Sequence, residues 1–300
     1  MENHKIREIL KKVGKIEVLS RRAVDSAVVG RYHSMFRGQG MHFDEVREYT
    51  PGDDARRIDW NVTARTSRPY VKKFVEEREM TMLLVVDVSA SGEFGSSGPS
   101  KREFWAEVAG VLAFSAFKNQ DRVGLLLFSE KPELYLLPQK GQSHIFRMIR
   151  EMLFYKPSGK KTNFVDTFHF IQRVLKRKSV VFFLSDFCFT GKFDKELEDF
   201  KSAMRGVALR HDCISLCMTD PLDQKLPPLG LLSLEDAETG ACMEINTKNM
   251  GASFEKETLR RRQATQKTVR QVGGDWLELP LGMPYIPELM RFFKKRARSV

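Results

Sequence analysis

The fold is decided by the stretch LLVVDVSAS, residues 83–91. Four apolar residues run straight into Asp87, and a short uninterrupted apolar run is typical of a strand buried on both faces of a parallel sheet. Ligands of open α/β sheets bind outside the carboxyl ends of such strands. Asp87, Ser89 and Ser91 stand at that place and offer only oxygen atoms. Oxygen ligands suit a hard cation such as Mg²⁺.

A second stretch has the same form. Residues 180–185 read VVFFLS and precede Asp186, so a second buried strand also ends at an aspartate. Between the two strands the polar loop GKKTN, residues 159–163, carries Thr162 and precedes a predicted helix. The succession of Asp-x-Ser-x-Ser, a loop threonine and a strand-end aspartate resembles the metal-ion-dependent adhesion site of von Willebrand factor A domains.

That resemblance implies a divalent metal site, holding Mg²⁺ or Mn²⁺. By it, Ser89, Ser91 and Thr162 would contact the cation, and Asp87 and Asp186 would bind through water or stand nearby. The alternative is that these side chains are helix caps and strand ends that bind no metal, and from the residues alone it stays open.

The rest of the chain after residue 80 alternates apolar strands with helices. This pattern predicts an α/β fold with a doubly wound, mostly parallel sheet and helices on both faces. Ser100 and Glu103 form a capping-box pattern that begins the first helix. Residues 228–246 break the alternation and predict a β-hairpin added at the edge of the sheet. Residues 70–75 are expected to lead, as an extended segment, into the main sheet.

A segment dense in charge precedes the sheet, between residues 37 and 65. Its turn, Pro51-Gly52-Asp53, is flanked by arginines and aspartates that alternate too closely for a simple amphipathic element. We expect the charged residues to pair mainly with one another or with the main domain, and Trp60 to be largely buried. On that interpretation, Arg56→Ala would cost far more than a surface arginine change. The charged set is Arg47, Asp53, Asp54, Arg56 and Asp59.

This segment is similar to the signature of the bacterial family called domain of unknown function 58, whose members join it to a von Willebrand factor A domain. The resemblance implies two parts. Residues 1–80 would hold the signature module, preceded by a helix over residues 1–32 that apolar residues at helical spacing predict. Residues 81–300 would hold the von Willebrand factor A-like domain with the hairpin and basic C-terminal helices. It also implies a protein partner, a MoxR-type AAA+ ATPase, with an acidic side chain that completes the metal.

Composition narrows the class of protein. The chain has 300 residues, of which 42% are hydrophobic and 30% charged, so it can bury a substantial core. It contains no apolar run long enough for a membrane span and no secretory signal pattern, and its four cysteines lack paired metal spacing. We therefore expect a cytoplasmic protein with free thiols. Peripheral membrane contact stays open, because residues 245–300 contain 12 Lys and Arg against 5 Asp and Glu.

Motifs for catalysis and cofactor binding are missing from the sequence. It contains no phosphate-binding loop, no dinucleotide fingerprint, no HExxH and no nucleophile elbow. An aspartyl-phosphate type phosphatase would carry a second acid two residues after Asp87, where Ser89 stands. We therefore predict a non-catalytic binding module. The alternatives are a metal-dependent phosphate-ester hydrolase and a basic nucleic-acid-binding protein.

Overall fold

The structure, a computed structural model, describes residues 42–66, 68–75, 80–96, 98–189, 191–236, 240 and 242–296. Two compact units divide the chain, one over residues 36–80 and the other over the remainder. The helix expected over residues 1–32 and the start of the signature segment lie outside the described residues. The division into 1–80 and 81–300 stays a prediction for that part of the chain.

The small unit is built on two antiparallel strands, β1 (His42–Glu48) and β2 (Tyr70–Val75). Between them lie a 3₁₀ turn, Ala55–Arg57, and helix α1 (Trp60–Thr66). Residues 70–75 are extended and precede the main sheet, as expected, but they form no part of it. Their backbone groups pair with β1 in a separate two-stranded sheet.

The charged residues of this unit pair in part as expected, but not in a buried network. Arg47 pairs with Asp53 at 2.7 Å, and both Arg47 and Arg56 are exposed to solvent. Asp54 caps the 3₁₀ turn and Asp59 accepts two N–H groups at the start of α1. The aspartates thus serve the local backbone, as short acidic side chains do at helix starts. The indole of Trp60 is 70% exposed, against the expectation that it is buried.

The main sheet has six strands in the order β10-β7-β6-β3-β4-β5. Its pairs are parallel except β4 with β5, which is antiparallel. The expected doubly wound, mostly parallel sheet is confirmed. Its strands are β3 (Thr81–Asp87), β4 (Arg122–Phe128), β5 (Pro132–Gln139), β6 (Val180–Ser185), β7 (Asp212–Thr219) and β10 (Asp275–Pro280).

Helices cover both faces of this sheet. Residues 82–87 of β3 are buried without interruption, as the apolar run predicts. Ser100 and Glu103 form the predicted capping box of the first helix. The helices are α2 (Lys101–Lys118), α3 (Gln142–Phe154), α4 (Phe164–Val174), α5 (Phe193–Ala208), α6 (Pro221–Gln224), α7 (Thr247–Gln271) and α8 (Ile286–Arg296).

The predicted hairpin forms but does not join the sheet. Strands β8 (Leu231–Glu235) and β9 (Cys242–Asn246) pair only with each other among the described residues. The edge beside β7 is taken by β10, whose Trp276 and Leu279 are buried. β10 is favoured at this edge over the hairpin because it buries apolar side chains, whereas most side chains of β9 are exposed.

The four cysteines are free thiols, as expected, although Cys188 and Cys242 are exposed rather than buried. No helix within the described part of the chain is long and apolar enough to cross a bilayer.

Candidate metal centre

The site lies where the chain reverses its winding direction across the sheet. From β3 the chain goes first to β4 on one side and returns through β6 on the other side. The two neighbours of β3 therefore have connections that diverge, which leaves a crevice outside the carboxyl ends of β3 and β6. Asp87 is the last residue of β3 and Asp186 directly follows β6. Both predicted carboxylates thus reach the crevice.

The loop after β3 turns its hydroxyl groups into the crevice. The Ser89 amide donates to Asp87 Oδ1 at 2.9 Å, which folds the loop back over the strand end. Ser89 Oγ and Ser91 Oγ are 3.2 Å apart. The Ala90 amide donates to the Lys160 carbonyl at 2.9 Å, so this loop is joined to the loop that carries Thr162.

Thr162 and Asp186 complete the cluster. Thr162 Oγ1 donates to Asp87 Oδ2 at 3.3 Å, and Ser91 Oγ donates to Asp186 Oδ2 at 3.3 Å. All five residues predicted for the metal site, from three separate segments, therefore stand within one chain of contacts. The five are Asp87, Ser89, Ser91, Thr162 and Asp186.

The cluster fits a small hard cation in size and chemistry. A cavity of about 10 Å³ is lined by Asp87, Ser89, Ser91 and Asp186 among others, which is room for one ion or water. At Mg²⁺–oxygen distances of 2.0–2.1 Å, neighbouring ligand oxygens of an octahedron lie about 3 Å apart. The hydroxyl and carboxylate oxygens are 3.2–3.3 Å apart. No group of three His, Cys, Asp or Glu residues is placed to bind a metal in the described ranges, so hydroxyls would have to be ligands.

Lys101 is a member of this cluster that the sequence reading missed. Its Nζ lies 2.9 Å from Asp186 Oδ2 and 2.6 Å from Asp223 Oδ2, and its side chain is 5% exposed. Lys101 is the first residue of helix α2, where the helix dipole disfavours a positive charge. A lysine at the start of a helix is unfavourable unless carboxylates pair with it. The position of Lys101, ten residues after Ser91, was therefore a sign in the sequence that acidic side chains lie nearby.

The two central carboxyl groups have opposite electrostatic environments. Burial raises the pKa of Asp87 to about 6, and the nearby charge of Asp186 adds to the rise. Burial also acts to raise the pKa of Asp186, but the ammonium of Lys101, together with hydrogen bonds from the Cys188 amide and the Ser91 hydroxyl, lowers that pKa below its usual value. As the pH rises, Asp186 therefore loses its proton first, and Asp87 keeps its proton to a higher pH.

A backbone feature supports Asp186 from behind. Phe187 has a φ of +53°, a left-handed conformation that is rare for a bulky residue and costs roughly 1–2 kcal/mol. This turn directs the Cys188 amide back to Asp186 Oδ1 at 3.2 Å. Ser185 Oγ accepts from the Phe187 amide and donates to Asp87 Oδ2 at 2.7 Å. The hydrogen bonds around the strained residue Phe187 therefore hold both carboxylates in place. Backbone strain is often found at functional sites.

The fold and the site together define a class of protein. A doubly wound sheet with an Asp-x-Ser-x-Ser loop at the switch point, facing a threonine loop and a strand-end aspartate, is a von Willebrand factor A-like domain. The sequence profile described as "Protein of unknown function DUF58" matches residues 45–265, and the chain belongs to this family.

Several relatives of this chain come from bacteria. The uncharacterized protein Rv1480 of Mycobacterium tuberculosis is 28% identical over 95% of this chain and 88% of its own. The uncharacterized protein YeaD of Bacillus subtilis is 28% identical over 36% of this chain and 25% of its own. Among solved structures, the SpRpn10 VWA domain has a TM-score of 0.41 at 10% identity, with 72% of this chain and 95% of that one covered.

The basic C-terminal segment is partly engaged within the domain. Arg296 Nε lies 3.0 Å from Asp275 Oδ2, and Arg296 also pairs with Asp212. On helix α7, Arg260 and Arg261 both pair with Glu257 at 2.8 Å. Lys294 is exposed. Part of the positive charge is therefore used inside the domain, and Arg298 lies outside the described residues.

Proposed function

We propose that the protein is a non-catalytic, divalent-metal-dependent interaction module that binds an acidic side chain of a protein partner. The observation that carries this proposal is the convergence of two hydroxyls and two carboxylates around a cavity of one ion's size, with the hydroxyl of Thr162 bonded to one of these carboxylates. Hydroxyl ligands leave a bound Mg²⁺ or Mn²⁺ with much of its positive charge, so it can accept a carboxylate from outside.

The residues around the cation position have distinct parts in this mechanism. Ser89 and Ser91 would be direct ligands, because both residues line the cavity together with Lys101. Thr162 does not line it, and would reach a cation beside Asp87, to which its hydroxyl donates. Asp87 accepts hydrogen bonds from Ser89, Ser185 and Thr162, which suits a carboxylate standing one shell back. Lys101 keeps Asp186 ionised before a metal arrives. Each of these steps binds or orients, and none transfers a proton to a substrate.

From the family resemblance, the partner that we propose first is a MoxR-type AAA+ ATPase, for which this chain would be an adaptor. Exposed positive charge near the C-terminus would speed association with an acidic partner and make it sensitive to salt. Arg296 is excluded from that role, since Asp212 and Asp275 hold it. Lys294 is the better placed residue for steering because it is exposed.

Metal removal tests the proposal directly. Millimolar Mg²⁺ or Mn²⁺ should raise the melting temperature by mass action on the folded state, and EDTA should reverse the rise. Asp87→Ala, and Ser89→Ala with Ser91→Ala, should abolish the rise while the protein still folds. Ser253→Ala on the surface of α7 is the matched control and should leave it intact. A melting temperature indifferent to both ions would overturn the metal site.

Two further assays separate the rival functions. Hydrolysis of a phosphate ester that needs Mg²⁺ and is lost in Asp87→Ala would move the protein to the metal-dependent hydrolases. A gel shift with nucleic acid that disappears at high salt would favour the basic nucleic-acid binder. We expect neither result.

A further inference from the structure

A larger cavity adjoins the metal centre and has no part in the function proposed above. It has a volume of about 250 Å³ and lies between the carboxyl ends of β6 and β7 and helix α7. The small cavity of the metal centre and this one share Asp186 and Met218 as lining residues. The two cavities are therefore neighbours.

The walls of this cavity are aromatic. The rings of Phe187 and Trp276 are 4.9 Å apart between centroids and form one side. Phe193 and Phe254 contribute from α5 and α7. The volume is below the range of pockets for drug-sized ligands, and it suits a single large apolar side chain.

The lining of the cavity carries charges of both signs. Arg261 and Arg262 line it from α7, and Asp186 and Asp223 line it as well. Arg261 is paired with Glu257 at 2.8 Å, whereas Arg262 Nη1 is 3.9 Å from Glu278 Oε2, beyond hydrogen-bond distance. Arg262 is therefore the guanidinium that favours an occupant with negative charge next to its apolar group.

We propose that this cavity receives a large apolar side chain from the same partner segment whose carboxylate completes the metal. The partner's recognition segment would thus be acidic, with a phenylalanine-like side chain within three residues of the carboxylate. This inference rests on the proposed function for the carboxylate contact, whereas the apolar contact stands on the cavity alone. Consecutive Cα atoms are 3.8 Å apart, so such spacings can bridge two adjoining cavities.

Synthetic peptides test the inference without a known partner. Seven-residue Gly/Ser peptides, blocked at both ends, carry one Asp and one Phe at a spacing of one, two or three residues. Control peptides replace Phe by Ala or Asp by Asn. Titration calorimetry in millimolar Mg²⁺ should show, for at least one spacing, binding of the Asp/Phe peptide about tenfold or more tighter than the Asp/Ala peptide.

A variant that fills the cavity from the helix side is the matched test on the protein. Thr258 lines the cavity, and Thr258→Phe should abolish the gain from the peptide's Phe while the Asp/Ala peptide binds as before. Leu259→Phe, at an exposed neighbouring position on the same helix, should leave the gain unchanged. Thr258→Leu, which adds less volume, replaces Thr258→Phe if the latter does not fold.

The outcomes separate the two proposals. If Phe and Ala peptides bind alike at every spacing, or if Thr258→Phe and Leu259→Phe behave alike, the cavity is not the apolar site. If binding of the Asp/Ala peptide is indifferent to EDTA, the metal contact fails. The gain of Asn/Phe over Asn/Ala then still decides whether the cavity takes the apolar side chain.

Discussion

Two clusters of charged residues in this protein have opposite fates. The signature segment, residues 42–66 as described, is the denser in charge, yet Arg47 and Asp53 of its ion pair are 44% and 19% exposed. The metal centre has fewer charges, and Lys101 and Asp186 are each 5% exposed. The comparison teaches that the number of charges in a segment does not indicate whether they are buried. A position at the end of a buried strand does indicate burial, because the residues next to it are packed inside the sheet.

The largest expected effect separates the two clusters by stability. Lys101→Met removes the ammonium partner of Asp186, whose side chain is buried, and of Asp223, which is partly exposed. We expect a loss of about 3–5 kcal/mol in the free energy of unfolding, chiefly from the buried Asp186. Mg²⁺ should stabilise this variant more than the wild type, because the ion supplies the missing positive charge. Urea denaturation with Mg²⁺ and with EDTA measures both effects.

Lys178→Met is the control for this variant, since it removes the same charge at an exposed position before β6. Equal losses in the two variants would show that the ion pairs of Lys101 do not stabilise the fold.

The second prediction concerns pH in the absence of metal. The folded-state pKa of Asp87, about 6, lies above its usual value of 3.8, so the folded state holds this proton more tightly than the unfolded state. Its contribution to stability is therefore largest at low pH and falls as the pH rises toward and beyond 6. Between pH 4.5 and pH 7.5 the fall is about 2 kcal/mol.

Asp87→Asn removes this titration, so the difference in unfolding free energy between wild type and variant, measured in EDTA, should change with pH by that amount. A difference that is flat with pH would place the proton elsewhere in the cluster.

The third prediction tests the exposed cluster. Arg56 is exposed, so Arg56→Ala should change the free energy of unfolding by no more than about 0.5 kcal/mol. A loss as large as that of Lys101→Met, measured by the same denaturation, would mean that Arg56 is buried in the protein in solution.

The smallest expected effect is the pH dependence of stability that comes from Asp53. Its sign is opposite to that of Asp87, because the pKa of Asp53 is lowered in the folded state and not raised. Hydrogen bonds from Arg47 and Thr50 lower the pKa of Asp53 to about 2. Its contribution to stability is present above pH 4, is lost as the pH falls toward 2, and weakens with salt. Carboxyl NMR titration of Arg47→Ala should find the pKa of Asp53 closer to 3.8 than in the wild type. An unmoved pKa would leave Thr50 as its cause.

Much of the site was predictable because its signals are local. Apolar runs that end at Asp87 and Asp186 predict strands with carboxylates at one edge, and the hydroxyls follow within four residues of the first strand. The resemblance to the adhesion site added Thr162. The capping box at Ser100 is equally local, since both partners lie in one turn of the helix.

Only the tertiary structure decided which charges are buried and which strand takes the edge. Lys101 meets Asp186, 85 residues away, and Asp223 on a different helix, and no periodicity in the sequence joins them. Likewise, the hairpin 231–246 has the pattern of an edge strand, but β10 occupies that place because it brings Trp276 and Leu279 into the core. The sequence by itself determined the strands and the oxygen-bearing side chains at their ends. Burial of a charge, and choice of a neighbour, depend on competition between distant segments for the same space.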